Sequence, residues 1–436
     1  MENRQPRKEL LVSKNFDEGT IVETIFDPVQ LVTSFIEQRA GKQSHQASIE
    51  RNAVTYVPVR PGNDLIKHKA LLFPSRPEPC GTAEELLADV DRHIAKYVSL
   101  SADARLLAGG YVLLSWLYDA FRELPYLRFR GDYGTGKTRA LIVIGSIAYK
   151  PFFASGASTV SPIFHTLDTF KGTLVFDEAD FRFSDEKAEL VKILNNGNVA
   201  GFPVLRTQIT VKKEFEPRAF HVFGPKIVGM RGRYDDRALE SRFLSIDMEV
   251  SLSGNVPINL PDAHEAEGLA LRNKLLSFRL RERAAVRLDD TLAITELEPR
   301  MNQILLPLLS VVPEGRYRDA IVRYAVQSQA RTLADRGDSV EGHVLAVVQA
   351  VAHDRNGAPV TISDIAEAFR AAHASEYERP ISNRYVGSVL RRLGLAPYKS
   401  HGTYVLAVSG NERLLALYGR FGIVDSPGTN EVVVAA

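Results

Sequence analysis

The spacing of hydrophobic positions changes along the chain and divides it into segments. Residues 1–80 contain short apolar runs separated by turns, which predict strands in a small mixed α/β region: "GTIVETIF", "AVTYVPV" and "KALLFP". From 81 to 122 the spacing becomes helical, in "TAEELLADVDRHIAKYV" and then in "ADARLLAGGYVLLSWLYDAF". Thr82 is the expected N-cap of the first helix, because glutamates fill the turn that follows it. The sequence assigns no role to residues 1–80.

Apolar runs alternate with helical patterns in the next part of the chain. "LPYLRFR" predicts a strand, although Arg128 and Arg130 make it more polar than most central strands, and "TRALIVIGSIAY" predicts a helix packed between other elements. The apolar run 173–176 is typical of a buried parallel strand. A helix is predicted at 185–197, and a strand, a charged tip and a returning strand follow within 201–230. This alternation predicts an α/β fold with a parallel sheet.

Helical patterns return after a polar connector at 253–268 and predict a helical region over 251–338. A smaller unit is predicted at 339–424. It contains a helix at 340–353, a second helix in "TISDIAEAFRAAH" with Ser363 as N-cap, a third in "SNRYVGSVLRRLGL", and two strands around a glycine-containing turn. This order is that of a winged helix-turn-helix, in which the third helix enters the DNA major groove. Residues 425–436 form a tail.

The stretch "RGDYGTGKTRALIVIG" contains the spacing G-x-x-x-x-G-K-T. Glycines allow backbone N–H groups and a helix N-terminus to point at one anion. In such a loop Lys137 reaches the β- and γ-phosphates, and the Thr138 hydroxyl ligates Mg²⁺. The same eight-residue pattern also occurs by chance in other turns. Here a strand is predicted before it and a helix after it, and this context favours a nucleotide-binding site. The residues assigned to the nucleotide are Gly131, Gly134, Thr135, Gly136, Lys137 and Thr138.

Two carboxylates follow the predicted strand 173–176. Asp177 stands at its C-terminal end, where ligands bind in open α/β sheets, and is the expected second ligand of Mg²⁺. Glu178 is placed to orient and deprotonate the water that attacks the γ-phosphate. The N-K-x-D motif of a GTPase does not occur in the sequence. The sequence therefore predicts ATP and Mg²⁺ as cofactors, and ATP hydrolysis as the reaction.

Composition bears on the number of domains, the type of partner and the cellular compartment. A chain of 436 residues suggests about two to four domains. Lys and Arg number 54 against 53 Asp and Glu, so net charge gives no argument for nucleic acid and any basic surface must be local. The single cysteine, Cys80, excludes an internal disulfide and fits a reducing cytoplasm. We expect no signal peptide, no membrane span and no zinc-type Cys/His cluster, since the matching patterns do not occur.

Basic residues occur at two places suited to contact DNA. Lys212 and Lys213 lie at the charged tip of the predicted hairpin, where they suit phosphates without reading sequence. The third helix and the wing of the C-terminal unit supply a second set, Asn383, Arg384, Arg391, Arg392, Lys399 and His401. Each set has an ordinary alternative. The lysines suit a solvated surface hairpin, and winged helices also serve as protein-binding modules.

The segment "DDRALESRFLSIDM" resembles the arginine-finger segment of AAA+ proteins, particularly minichromosome-maintenance-type helicases and clamp loaders. Residues 81–330, with "PYLRFRG", "GTLVFDEAD" and "GPKI", also look like the AAA+ ATPases of prophages and mobile elements. The resemblance implies an AAA+ core over 81–250, a lid over 251–338 and assembly into a ring, with a hexamer expected. It implies that the hairpin projects into the pore and that Arg242, after Ser241, faces the neighbouring subunit's γ-phosphate. It also implies a lid arginine that contacts the γ-phosphate in cis; Arg300 is the candidate, with an ordinary helix charge as the alternative.

One position departs from the AAA+ pattern. The strand after the hairpin usually ends in a polar sensor residue, Asn, Thr or Ser, whereas "KIVGM" ends in Gly229 and Met230, followed by Arg231. Either Arg231 substitutes for the sensor or the sensor is absent. The sequence therefore leaves open which residue positions the attacking water. ATP binding does not depend on the sensor residue.

Together these features predict an oligomeric AAA+ motor that acts on DNA, a replicative or mobile-element helicase that hydrolyses ATP at subunit interfaces. The alternative is a DNA-bound initiator or regulator that uses ATP as an assembly switch without unwinding. A protein-remodelling ATPase is a third hypothesis, but the aromatic-hydrophobic-glycine pore loop expected there is not clear in the sequence before Asp177.

Overall fold

The structure is a computed structural model that describes residues 7–16, 19–177, 185–209, 215–234, 236–249, 256–356, 358–376 and 381–423. The chain divides into two compact units, Met1–Ala325 and Val326–Ala436. None of the helices described in these ranges has both the length and the apolar surface needed to cross a membrane.

The first unit begins with two small sheets. One is antiparallel, in the order β2-β3-β4-β5, and the other is mixed, in the order β1-β7-β6. The elements are β1 (Arg7–Leu10), β2 (Ser13–Phe16), β3 (Thr20–Asp27), β4 (Val32–Arg39), β5 (Lys42–Gln46), β6 (Ile49–Arg51), β7 (Val54–Val57) and the short helix α1 (Asp64–Lys67). The strands predicted in "GTIVETIF" and "AVTYVPV" are confirmed as β3 and β7. The strand predicted in "KALLFP" is wrong, since Leu71 makes only an isolated bridge with Phe152.

Two helices follow, α2 (Ala83–Tyr97) and α3 (Ala102–Leu117). Thr82 caps α2 as predicted. Its hydroxyl accepts from the Glu85 N–H, and the Glu85 carboxylate accepts from the Thr82 N–H. Residues 106–117 are all buried, so α3 lies at the centre of the largest hydrophobic core of the first unit.

A five-stranded parallel sheet forms the middle of the first unit, in the order β14-β8-β13-β10-β9. Its elements are β8 (Tyr126–Arg130), α4 (Lys137–Ser146), β9 (Phe152–Ser155), α5 (Val160–Phe170), β10 (Leu174–Asp177), α6 (Asp185–Asn196), β13 (Lys226–Met230), α7 (Arg237–Glu240) and β14 (Phe243–Asp247). All five strands end at one edge, here called the carboxyl edge, and begin at the opposite amino edge. This sheet confirms the predicted mixed α/β class.

Between α6 and β13 the chain forms the predicted antiparallel hairpin from β11 (Val204–Ile209) and β12 (Phe215–Phe220). After β14, the predicted helical region is confirmed as α8 (Ala263–Glu282), α9 (Pro299–Val311) and α10 (Arg316–Gly337). Helix α9 begins with Pro299, whose fixed φ suits the first helical turn.

The described residues of the second unit form four α-helices after α10 and a small antiparallel sheet in the order β15-β17-β16. Its elements are α11 (Val340–Asp354), β15 (Val360–Thr361), α12 (Ile362–His373), α13 (Asn383–Arg392), β16 (Tyr398–Ser400), β17 (Thr403–Leu406) and α14 (Glu412–Phe421). The prediction that Ser363 caps α12 is wrong. Thr361 is the cap, because its hydroxyl accepts from the Asp364 N–H at 3.1 Å while Asp364 accepts from the Thr361 N–H at 3.2 Å.

Candidate nucleotide-binding site

The glycine-rich loop joins the carboxyl end of β8 to the start of α4. Gly134 and Gly136 have φ of 74° and 88°, a region that glycine enters without strain. Gly136 is the N-cap of α4 and supplies no side-chain cap. At Gly131 a Cβ atom would lie 2.5 Å from the carbonyl oxygen of Met248, so the loop can pack against the end of β14 only with glycine there. The loop is thus shaped around the N-terminus of a buried helix.

Lys137 and Thr135 bind the loop backbone. The Lys137 Nζ donates to the carbonyl oxygens of Gly131 at 2.8 Å and Asp132 at 2.7 Å. The Thr135 hydroxyl donates to the same Asp132 carbonyl at 2.9 Å. The lysine therefore lies folded over the loop, within reach of any anion that the loop holds.

Thr138 and Asp177 bring two oxygen ligands together. The Thr138 Oγ1 donates to the Asp177 Oδ2 at 2.7 Å, joining the first turn of α4 to the end of β10. Neighbouring oxygen ligands on an octahedral Mg²⁺, with bonds of about 2.0–2.1 Å, lie about 2.9 Å apart. The two atoms therefore fit one edge of a Mg²⁺ coordination sphere. Glu178, the predicted general base, lies outside the described residues.

The structure describes the end of β13, where the sequence lacks the expected polar sensor residue. A Cβ at Gly229 would lie 3.0 Å from the Asp177 Oδ1 and 2.8 Å from the Leu141 Cδ1, so a side chain at this position would have to displace the ends of those two side chains. Arg231, two residues on, places its guanidinium carbon 3.6 Å from the centroid of the Tyr133 ring, in the glycine-rich loop. Arg231 thus brings a cation to the loop. Sequence reasoning missed Tyr133, whose only signal is an aromatic residue at a variable position of the motif.

Arg242 lies at the opposite edge of the sheet. It immediately precedes β14, and its carbonyl accepts from the N–H of Tyr126, the first residue of β8. The parallel pairing of β14 with β8 runs from Phe243 to Asp247, four residue steps or about 13 Å. Since the glycine-rich loop follows the last residue of β8, Arg242 lies far from the loop of its own chain.

The side chain of Arg242 is held by neutral amides. Its guanidinium donates to the Asn195 Oδ1 at 2.7 Å and to the Asn198 Oδ1 at 2.9 Å. Burial, and then the nearby Arg300, lower its pKa. Glu240 accepts instead from the buried Arg128, at 2.7 and 2.5 Å. Arg128 therefore anchors the segment before Arg242, a role that its unusual place in a central strand could have signalled.

The structure does not bear out Arg300 as an arginine that contacts the γ-phosphate of its own chain. Its guanidinium donates to the Glu123 Oε1 at 2.5 Å, and Glu123 lies just before β8, at the amino edge. Arg300 is therefore near Arg242 and on the far side of the sheet from the glycine-rich loop. The reason is that α9 packs with its first turn toward the residue that precedes β8, an arrangement the sequence did not reveal.

The two predicted DNA-contacting lysines, Lys212 and Lys213, lie outside the described residues. The strands that bracket them are described, and Ile209 is paired with Phe215 at the last described step before the tip. Phe215 is 76% exposed and Leu205 is 67% exposed, so the described strands of the hairpin present apolar side chains to their surroundings. Such exposure is typical of a surface that meets another molecule.

The structure separates the candidates of the second unit into two groups. Asn383 and Arg392 are engaged within the unit: Asn383 accepts from Arg370 at 3.2 Å, and Arg392 pairs with Glu341 at 3.2 Å. His401, in the turn after β16, is also engaged, since its Nδ1 lies 3.1 Å from the Ser400 hydroxyl oxygen. The second group consists of Arg384 and Arg391 on α13 and Lys399 on β16, which are exposed. Arg384 and Arg391 are seven residues apart and share one face of α13, opposite its buried face.

No protein-family model matches the sequence, and no curated protein is significantly similar to it. Among solved structures, the C-terminal region of NrS-1 is 13% identical, with 89% of this chain and 96% of that chain covered and a TM-score of 0.38. An SCCmec type IV Cch described as an active helicase is also 13% identical, with 96% and 82% covered and a TM-score of 0.42. The Aeropyrum pernix ORC1 protein in complex with DNA is 14% identical, with 77% and 96% covered and a TM-score of 0.22. These TM-scores are all below 0.5. We therefore base the proposed function on the residues of this chain.

Proposed function

We propose that this chain is an ATP-hydrolysing DNA motor, a replicative or mobile-element helicase of the AAA+ type, whose active sites are completed between subunits of a ring. The observation that carries the proposal is the contact of Thr138 with Asp177 beside the glycine-rich loop. A glycine loop, a lysine, a hydroxyl and a strand-end carboxylate are the parts that a site for nucleoside triphosphate and Mg²⁺ requires.

In this proposal the loop N–H groups and Lys137 bind the phosphates, and Thr138 and Asp177 hold Mg²⁺. The metal would neutralise charge that develops on the transferred phosphoryl group. Lys137 would exchange its two backbone acceptors, the carbonyls of Gly131 and Asp132, for phosphate oxygens. Glu178, which follows Asp177, would accept the proton of the attacking water.

Assembly into a ring would bring an arginine of one subunit to the phosphates bound by its neighbour. Arg242 is about 13 Å or more from its own loop along β14, but it lies at an edge that a neighbouring subunit can cover. Its direct partners, Asn195 and Asn198, are neutral, so a phosphate could compete for the guanidinium. We assign Arg300 to the same interface, since it lies at the amino edge as well. Neither arginine would contact the nucleotide bound by its own subunit.

DNA would be contacted by two separate surfaces. Lys212 and Lys213, at the tip between β11 and β12, would follow single-stranded phosphates in the pore. The element order of the second unit, with three helices and a three-stranded antiparallel sheet, supports a winged helix. In that case Arg384 and Arg391 on α13, with Lys399 on the wing, would meet duplex DNA.

The proposal is tested by displacement of a labelled strand from a forked duplex, together with ATP turnover with and without DNA. We expect ATP-dependent displacement in the parent protein. Replacing Lys212 and Lys213 with alanine should abolish displacement and DNA stimulation while preserving basal turnover. Lys192→Ala, an exposed lysine on α6, is the matched control. ATP turnover stimulated by DNA without displacement would instead identify an initiator or regulator that uses ATP as a switch.

A further inference from the structure

Three side chains of types that bind metals converge in the second unit. His343 lies on α11, His373 is the last residue of α12, and Glu376 ends the one-turn 3-10 helix Ala374–Glu376 that follows. The His373 Nδ1 lies 2.9 Å from the Glu376 Oε1, and the His343 Nδ1 lies 3.5 Å from the Glu376 Oε2. One ligand atom from each residue lies within 4.8 Å of the other two.

The three side chains lie close enough to share one ion once they rotate toward it. Ligand atoms bound to Zn²⁺ at about 2.0–2.1 Å lie about 3.3 Å apart, and here one ligand atom from each side chain lies within 4.8 Å of the others. Two imidazole nitrogens and one carboxylate form a donor set that suits Zn²⁺ and related transition metals, whereas Mg²⁺ prefers oxygen ligands alone. The three side chains therefore supply suitable donors within reach of one ion.

Packing also holds the three side chains together. The two imidazole rings are stacked, with centroids 4.2 Å apart and planes inclined by 6°. Phe369 packs against His373 and shields one side of the cluster.

We propose that His343, His373 and Glu376 form a binding site for a divalent transition-metal ion, with Zn²⁺ as the ion that the donors suit best. Since the rings are parallel, each must turn about its χ2 axis to direct a nitrogen at the ion, and this torsion is soft in histidine. Three protein ligands leave a fourth position for water or another donor. The bound ion would tie α11 to the end of α12.

The site has a structural consequence for α13. Arg370, one turn before His373 on α12, donates to the carbonyl of Ile381 at 3.1 Å and to the side chain of Asn383, the first residue of α13. A metal that fixes the end of α12 against α11 would therefore also steady the helix that carries Arg384 and Arg391. No local motif marks this site in the sequence, because His343 and His373 are thirty residues apart.

The test is calorimetric titration of Zn²⁺ into the full chain, without a histidine tag, stripped with chelator and kept in excess Mg²⁺ to fill oxygen-only sites. We expect one Zn²⁺ per chain with a micromolar or tighter dissociation constant. His343→Gln, His373→Gln and Glu376→Gln should each weaken binding at least tenfold. His353→Gln, which changes an exposed histidine on the same helix α11, should leave binding unchanged.

A thermal scan provides the second readout. Zn²⁺ should raise the unfolding temperature of the parent and of His353→Gln but not that of the three ligand variants, because an ion stabilises only the state that binds it. Glu376 is exposed, so Glu376→Gln should fold even if a histidine variant does not. Parent protein that fails to bind Zn²⁺, or ligand variants that bind it as tightly as the parent, would overturn the proposal.

Discussion

At the residue scale, the paired carboxylates after β10 have different predicted tasks. Asp177 contacts Thr138 and suits metal binding, while Glu178 is expected to activate water. Glu178→Gln should therefore bind ATP and Mg²⁺ nearly as well as the parent but lose turnover by about a hundredfold or more. Asp177→Asn should also weaken Mg²⁺-dependent nucleotide binding. Binding of a fluorescent ATP analogue and steady-state phosphate release measure the two effects, and wild-type turnover by Glu178→Gln would refute its role.

A second residue-scale prediction concerns acid stability. Burial, and then the stacked His264, lower the pKa of His93 from 6.5 to about 4, while Glu267 opposes the shift. The unfolded chain therefore binds a proton on this histidine between pH 6.5 and 4 that the folded chain does not. The stabilising contribution is complete above pH 6.5 and is lost as the pH falls toward 4, by about 1.4 kcal/mol per pH unit.

Urea unfolding between pH 7 and pH 4 measures this loss. His93→Phe, which fills the same buried space without a titrating group, should flatten the pH dependence. His68→Gln, at an exposed histidine, serves as the control. If His93→Phe and the parent lose stability equally over this range, the assignment to His93 is wrong.

At the scale of elements, the N-terminal strands are joined to the parallel-sheet module by buried charges. Glu23, on β3, accepts from Arg279 of α8 at 2.6 Å and from Lys150, after α4, at 2.9 Å, and all three side chains are about 1% exposed. Residues 1–80 therefore have at least a structural role, which the sequence alone did not indicate. Removing the carboxylate would leave two buried cations without their shared partner.

Glu23→Gln should consequently lower the free energy of unfolding by about 3 kcal/mol or more. Glu9→Gln removes a carboxylate from the exposed pair with Arg7 on the same N-terminal region and should change it by less than about 1 kcal/mol. Chemical denaturation of the two variants under the same conditions gives the comparison. Equal effects would show that the buried network contributes no more than a surface ion pair.

Helix α13 gives a further element-scale prediction. Arg384→Ala combined with Arg391→Ala should weaken binding to duplex DNA about tenfold or more and reduce its salt dependence, because two phosphate contacts are lost. Arg392→Ala should have a much smaller effect, since Arg392 already pairs with Glu341. Fluorescence anisotropy at several salt concentrations measures both. Unchanged affinity in the double variant would make the second unit a protein-binding module.

Comparing the predicted helices and strands with the observed ones shows which features local sequence patterns predict and which they do not. Local rules located α2, because Thr82 and Glu85 form its cap. They also located β10, from three apolar residues before Asp177. They failed for Ser363, where the reciprocal cap at Thr361 and Asp364 is stronger. They also failed for Arg300, whose partner Glu123 is distant in sequence. Contacts between distant segments depend on how helices pack, and local sequence patterns do not specify that packing.

At the scale of the whole molecule, our proposal assigns different tasks to the two ends of the parallel strands. The glycine-rich loop, Lys137, Thr138 and Asp177 lie at the carboxyl edge, and Arg242 and Arg300 lie at the amino edge. A single chain cannot bring these groups together without unfolding its sheet. A head-to-tail ring can, because each interface then joins one edge to the opposite edge of the next subunit. ATP turnover per chain should therefore rise with protein concentration.

The most direct test mixes two inactive variants. Lys137→Ala lacks the phosphate-binding lysine and Arg242→Ala lacks the cation offered to the neighbour, so each alone should lose at least about a hundredfold in turnover. In an equal mixture, about a quarter of head-to-tail interfaces combine an intact loop with an intact Arg242, so up to about a quarter of the parent rate should return. Mixing Arg242→Ala with the double variant Lys137→Ala, Arg242→Ala should restore nothing. Recovery only in the first mixture is the predicted result; no recovery there, or parental turnover by Arg242→Ala alone, would contradict an active site shared between subunits.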